Sequence, residues 1–186
     1  MRFEVINPPV SDAILLDEVK DHLRLDGGED DAGLGAMVAT ATACLEAHLS
    51  AAFIARDVHI FLDGGGTRDT PQRLPIRPVM SLDAVDVKDA DGSWQTVPLS
   101  AVSFRPGLAP EVSLSGPSTE GPDQIRITAR AGFGESWNDV PLVIRQALLQ
   151  LVTYLYTHRG DMGEGANALK ASGAAALVST YRQVRL

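Results

Sequence analysis

The chain has 186 residues, of which 45% are hydrophobic and 22% charged, and its formal net charge at pH 7 is −8. That length suits one good core, or one core carrying a sizeable insertion, and the composition is too apolar for wholesale disorder. The acidic balance argues against gripping nucleic acid by counterion release, which needs a basic face. It is compatible with a surface that DNA passes without sticking.

Cys44 is the only cysteine, which excludes an intramolecular disulfide and a Cys-based zinc site. It falls within an apolar helical pattern, so a small buried hydrophobe is expected there. The opening residues, Met1-Arg2-Phe3-Glu4-Val5-Ile6-Asn7-Pro8-Pro9, hold an early acid and no apolar run of signal-peptide length. No stretch approaches the roughly 20 apolar residues of a membrane span. These features predict a soluble chain made in a reducing compartment, with no membrane contact.

In chain order, residues 1–13 read as an extended lead-in, with Pro8-Pro9 forbidding helix. A first helix is predicted over 16–25. Leu16, Val19 and Leu23 form its apolar stripe; Asp17 and Glu18 suit its first turn and Arg24 its last, and Gly27-Gly28 would end it. Asp30 or Asp31 is placed to cap a second helix near 31–50. There Leu34, Met37, Val38, Ala41, Leu45 and Leu49 follow the helical period, while Ala36, Ala39, Ala43 and Ala47 form a second face of small residues. A helix apolar almost all round is expected to be buried on more than one side. It serves either as a central helix of a bundle or as one whose alanine face packs against a neighbouring subunit.

From residue 57 the period becomes two. Val58, Ile60 and Leu62 alternate with His59, Phe61 and Asp63, and Gly64-Gly65-Gly66 opens a mobile loop. Pro75 and Pro78 restrict 74–79 to an edge or an extended crossing. A hairpin runs from Val85 and Val87 through Asp89-Ala90-Asp91-Gly92 to Trp94, Thr96 and Val97. Short strands are predicted at 102–105 and 111–114, and the clearest one at 124–131. Asn138-Asp139-Val140-Pro141 signals a helix start with Asp139 as cap. Ile144, Ala147, Leu148, Leu151, Val152 and Leu155 make the stripe of that helix. A weak alanine-rich helix is predicted over 169–181, too feeble to stand without a partner.

Little here points to chemistry. His22, His48, His59 and His158 show no metal-ligand spacing. Asp26-Gly27-Gly28-Glu29-Asp30-Asp31 lacks the alternating acids of a calcium loop, and Gly64-Gly65-Gly66-Thr67 lacks the lysine and helix of a phosphate loop. Ser100, Ser103, Ser113 and Ser115 have no nucleophile-elbow context. The reading is therefore of a non-enzyme without cofactor or metal. Binding features are stronger. Arg126 and Arg130 share a strand face, and Tyr181-Arg182-Gln183-Val184-Arg185-Leu186 has the make-up of a docking peptide.

The ordered set "LLDEVKDHLRLD" (15–26), "ATATACLEAHLSAAF" (39–53), "LPIRPVMSLDAVDVKDADGSWQTV" (74–97), "ARAGFGESWNDVPLVIRQALLQLVTYLYTHRGD" (129–161) and the final "YRQVRL" resembles the phage head–tail connector (adaptor) family. Its members occur in long-tailed phages, prophages and gene transfer agents. One departure is Leu15, where a Ser or Thr cap would be expected.

The resemblance implies an α+β chain that is mainly α. A helical bundle of two N-terminal and two C-terminal helices (1–56 and 132–186) would carry an inserted antiparallel β-subdomain (57–131). It implies a dodecameric ring beneath the portal in the virion neck, assembled in the host bacterial cytoplasm. That ring would extend the DNA channel without sequence-specific binding and present a docking surface to the tail, a stopper or a tail terminator. Tyr181, Arg182, Val184, Arg185 and Leu186 would bind the portal protein. Ala36, Ala39, Ala43 and Ala47 would form the subunit interface, and Gly64, Gly65 and Gly66 a loop on the tail side. The alternatives are a tail-completion protein resembling a tail terminator, which binding to tail tube rather than portal would reveal, and a small ligand-binding module, which would need convergent polar groups in a pocket.

Overall fold

The computed structural model describes residues 1–63, 70–88, 91–114, 124–159 and 167–182. The predicted glycine loop at 64–66, and Val184, Arg185 and Leu186 of the predicted docking peptide, lie outside the described residues. The chain is α+β and divides into two compact units: one of sheets (Met1–Val10 and Ala55–Glu135) and one of helices (Ser11–Ile54 and Ser136–Leu186).

In the sheet unit, β1 (Arg2–Val5), β2 (Arg56–Asp63), β8 (Gln124–Ala131), β4 (Val79–Lys88) and β5 (Trp94–Val97) lie side by side in that order, all antiparallel. The lead-in thus supplies an edge strand, and Met1–Val10 belong with the sheets, although the sequence reading counted them with the helices. Proline at positions 8 and 9 stops helix but leaves the preceding residues free to pair. A second sheet holds β3 (Gln72–Arg73), β7 (Glu111–Leu114) and β6 (Val102–Arg105), again antiparallel. Strict alternation decides the faces: Ile125, Ile127, Ala129 and Ala131 of β8 are buried, as are Val58, Ile60 and Leu62 of β2. A shift of one residue would expose the whole set, so the register is firmly specified.

In the helical unit, α1 (Leu16–Leu23) packs on α2 (Asp31–Leu49) and on α3 (Leu142–Thr157). Helix α2 also packs on α3, which carries the short α4 (Ala168–Ala171) and α5 (Ala174–Leu177). Leu34, Val38, Ala41, Leu45 and Leu49 of α2 are buried, together with Ile144, Ala147, Leu148, Leu151 and Val152 of α3.

The helix ends depart from expectation in informative ways. Helix α1 stops before Gly27, because Arg24 turns left-handed (φ 56°) and Leu25 N–H reaches back to Lys20 O at 3.0 Å. Asp30 flanks α2 without capping it; its carboxylate accepts the Tyr156 hydroxyl (2.7 Å) instead. Asp139 serves a short 3₁₀ turn (Trp137–Asp139), where Ser136 N–H and Oγ–H donate to its carboxylate, and α3 begins only after Pro141. The predicted last helix is broken at Gly173 (φ 78°) into α4, α5 and a 3₁₀ turn, Ser179–Tyr181.

A left-handed conformation costs an L-residue roughly 1–2 kcal/mol and glycine almost nothing. Arg24→Gly should therefore raise stability by about 0.5–1 kcal/mol, measured by urea unfolding. A loss of stability would mean that the Arg24 side chain contributes more than its backbone costs.

Candidate functional site

Two surfaces stand out. The first is the polar face of the five-stranded sheet. The strand registers align Arg2, Phe61, Arg126, Asp86 and Thr96 in one transverse row across all five strands. The Arg126 guanidinium donates to Asp86 Oδ2 from Nε (3.1 Å) and Nη2 (2.9 Å) and stacks over Trp94 at 4.6 Å. Thr96 donates to Asp86 Oδ1 at 2.7 Å, and Arg2 lies 4.4 Å over Phe61. Two rows further along the same face, Arg130 bridges Asp57 and Glu135, both at 2.7 Å. The two arginines picked out from the sequence do share a face, and each is held by carboxylates.

Burial pushes the Asp86 carboxyl up, but hydrogen bonds from Thr96 and Arg126, and the Arg126 charge, outweigh it and hold the group below the usual carboxylate range. Asp57 is also lowered, by hydrogen bonds from Asn7 and Arg130 against the opposing effect of burial. A depressed folded pKa contributes stability above the unfolded value, near 3.9, that is lost as pH falls through the folded value. Asp86→Asn should thus cost about 1–2 kcal/mol at pH 7. The gap to wild type should close as urea melts are repeated below about pH 4. A constant gap across that range would remove the charge of Asp86 from the explanation.

The second surface belongs to the helical unit. Every exposed residue of α2 is Ala, Gly, Thr or Cys. Ala36, Ala39, Ala43 and Ala47 are all among them, on an arc of about half the helix circumference and about 22 Å long. Cys44 is exposed too, against the expectation of a buried residue. Nor is α2 enclosed on more than one side within the chain, since its buried residues, Leu34, Val38, Ala41, Leu45 and Leu49, fall on one face. Gly33 and Gly35 lie on the exposed side, and a Cβ at either would meet no atom within 4 Å. Each weakens the helix by roughly 0.5–1 kcal/mol relative to alanine, and no packing inside the chain requires it.

By length and composition alone α2 is apolar enough to cross a membrane, which corrects the expectation that no stretch comes near. Its fully exposed residues are small, however, and its leucines and Val38 are already buried within the unit, with Met37 half-buried. That is the pattern of close protein contact rather than of a lipid-facing helix.

Beside it, Glu18, Leu142, Val143, Arg145, Gln146, Leu149 and Leu177 line a groove of about 310 Å³ between α1, α3 and α5. Leu142 is 72% exposed, and Val143 and Leu177 are also exposed. Glu18 Oε2 and Arg145 Nε are buried there, with no hydrogen-bond partner among the described residues. Sequence reasoning passed over this groove. The available signal was Leu142 and Val143, two apolar residues that precede and lie out of phase with the buried stripe of α3. Of the predicted docking peptide, Tyr181 closes the final 3₁₀ turn, half-buried, and Arg182 is exposed. Among the described residues no group of three or more His, Cys, Asp or Glu is placed to hold a metal ion.

No family model and no curated protein matches the chain. Solved structures do. A chain in the neck of an empty gene transfer agent (GTA) particle, computed with C6 symmetry, is 29% identical, with a TM-score of 0.80 over 100% of this chain and 97% of that one. The chain is similar to a GTA neck component. A chain from the virion of a native GTA particle is 28% identical at TM-score 0.80, and one from the neck of a native particle, computed with C12 symmetry, is 27% identical at 0.78. Both again cover 100% of this chain and 97% of theirs. The likeness therefore takes in sheets and helices alike.

Proposed function

We propose that the chain is a structural component of the neck of a phage or GTA particle, and within it the head–tail connector (adaptor). The full-length likeness to chains of GTA necks carries this reading. Copies form a ring, dodecameric by analogy with the twelvefold neck, as a helical bundle with an inserted β-subdomain. The ring sits beneath the portal, extends the DNA channel and offers its far side to a stopper or tail terminator.

A ring closed by rotation uses two different faces of each subunit. The uncharged outer face of α2, with Ala36, Ala39, Ala43 and Ala47, serves as one of them. The terminal Tyr181, Arg182, Val184, Arg185 and Leu186 engage the portal, and the loop at Gly64, Gly65 and Gly66 faces the tail. Neither catalysis nor a cofactor enters: the work is assembly. The acidic net charge suits a channel lining along which a polyanion slides without being held.

The test is electron microscopy of the purified chain mixed with the portal protein of the same particle, with sedimentation of the chain alone as control. Rings stacked on the narrow end of the portal are expected. Association with tail tube and none with portal would replace the adaptor by a tail-completion protein.

A further inference from the structure

Within the ring reading above, on which this step rests, we infer that neighbouring copies join head to tail. The exposed face of α2 in one copy sits in the Leu142–Val143–Leu177 groove of the next. A heterologous contact must join two unlike faces that fit each other. The helical unit offers a face of small residues without charge and a groove edged by protruding aliphatic side chains, Leu142 foremost.

Small residues let a second backbone come close, and Gly33 and Gly35, with open space at the Cβ position, extend that approach at the N-terminal end of the face. The contact is one of shape and apolar area, since Arg145 Nε and Glu18 Oε2 are sealed within the subunit and lie out of a neighbour's reach.

Two other occupants fit less well. Pairing α2 with the α2 of another copy would close a twofold dimer and leave the aliphatic groove in water. A lipid surface would favour outward bulky residues, whereas the leucines and Val38 of α2 are buried and its fully exposed residues are small.

Cys44 makes the pairing directly testable, because it is the only cysteine and lies exposed at one edge of this face. Leu142→Cys places a second thiol on the groove, and the exposure of Leu142 spares the core. Assembled with portal and treated with a short bis-maleimide, this variant should run on a denaturing gel as a ladder of dimers, trimers and higher species. Adding Cys44→Ser should collapse the ladder to monomer. Val143→Cys is the second probe, should Leu142→Cys fail to fold by circular dichroism.

Rings seen by microscopy without a ladder would overturn the pairing and leave the ring standing. Dimers from wild-type Cys44 alone, with nothing larger in Leu142→Cys, would replace it by a symmetric α2 pair. Absence of both rings and ladder would remove the ring reading and the pairing with it.

Discussion

Ala43→Glu should leave a folded monomer that no longer assembles, whereas Ala41→Glu, only two residues away, should fail to fold. Both alanines lie on one helix with similar uncharged neighbours, so the contrast isolates the face. Ala41 is 0% exposed, and a lone carboxylate there has no partner to offset its desolvation; the cost is several kcal/mol, comparable to the whole stability of a domain. Ala43 is exposed, so glutamate costs the free chain no more than about 0.5 kcal/mol. In a ring the same carboxylate would be trapped against the neighbouring copy and carry the burial cost there instead. Circular dichroism melts report the first effect, and sedimentation with portal the second. A wild-type melt together with normal rings for Ala43→Glu would exclude the α2 face from the interface. A collapsed melt for the same variant would show that its exposed position has been misread.

That contrast also shows where sequence pattern stops. Strands were legible where alternation and punctuation agree: Gln124–Ala131 alternates without a break, and glycine and proline bracket Val102–Arg105 and Glu111–Leu114. The helices were legible as helices, but α2 offers two faces without charge, and periodicity alone does not say which is inward. The choice falls to size. Leu34, Val38, Leu45 and Leu49 bury more apolar area than alanines can, so they take the core and carry Ala41 with them, leaving Cys44 outside. Helix ends were least legible. Arg24 stops α1 in a conformation usually given to glycine, and Asp30 gives its carboxylate to Tyr156 rather than to the start of α2. Such choices depend on contacts that only the folded chain brings together, and the groove of Leu142, Val143 and Leu177 is the same kind of product. Its residues come from helices separated by more than a hundred positions.

Removing residues 181–186 should leave the subunit folded and abolish its attachment to portal. The fold loses little: Val178, the last fully buried of the described residues, stays, and the cut removes the closing hydrogen bonds from Tyr181 N–H to Val178 O (2.9 Å) and from Arg182 N–H to Ser179 O (3.2 Å) together with the half-buried Tyr181 side chain. Melting should move by an amount equivalent to less than about 1 kcal/mol. The partner loses far more, since the segment concentrates one tyrosine, two arginines and two aliphatic residues, a make-up rich in interface hot-spot types. Two such anchors together are worth about 4 kcal/mol, roughly a thousandfold in affinity. The arginines and the apolar residues should also separate by salt. Alanine at Arg182 and Arg185 should weaken binding most at low ionic strength, where charge attraction is least screened. Alanine at Tyr181, Val184 and Leu186 should weaken it alike at every salt concentration, because apolar burial carries no such screening. Unchanged portal binding by the truncated chain would move the docking role to another surface of the subunit. Loss of binding without any salt dependence would assign the attachment to Tyr181 and the aliphatic residues alone.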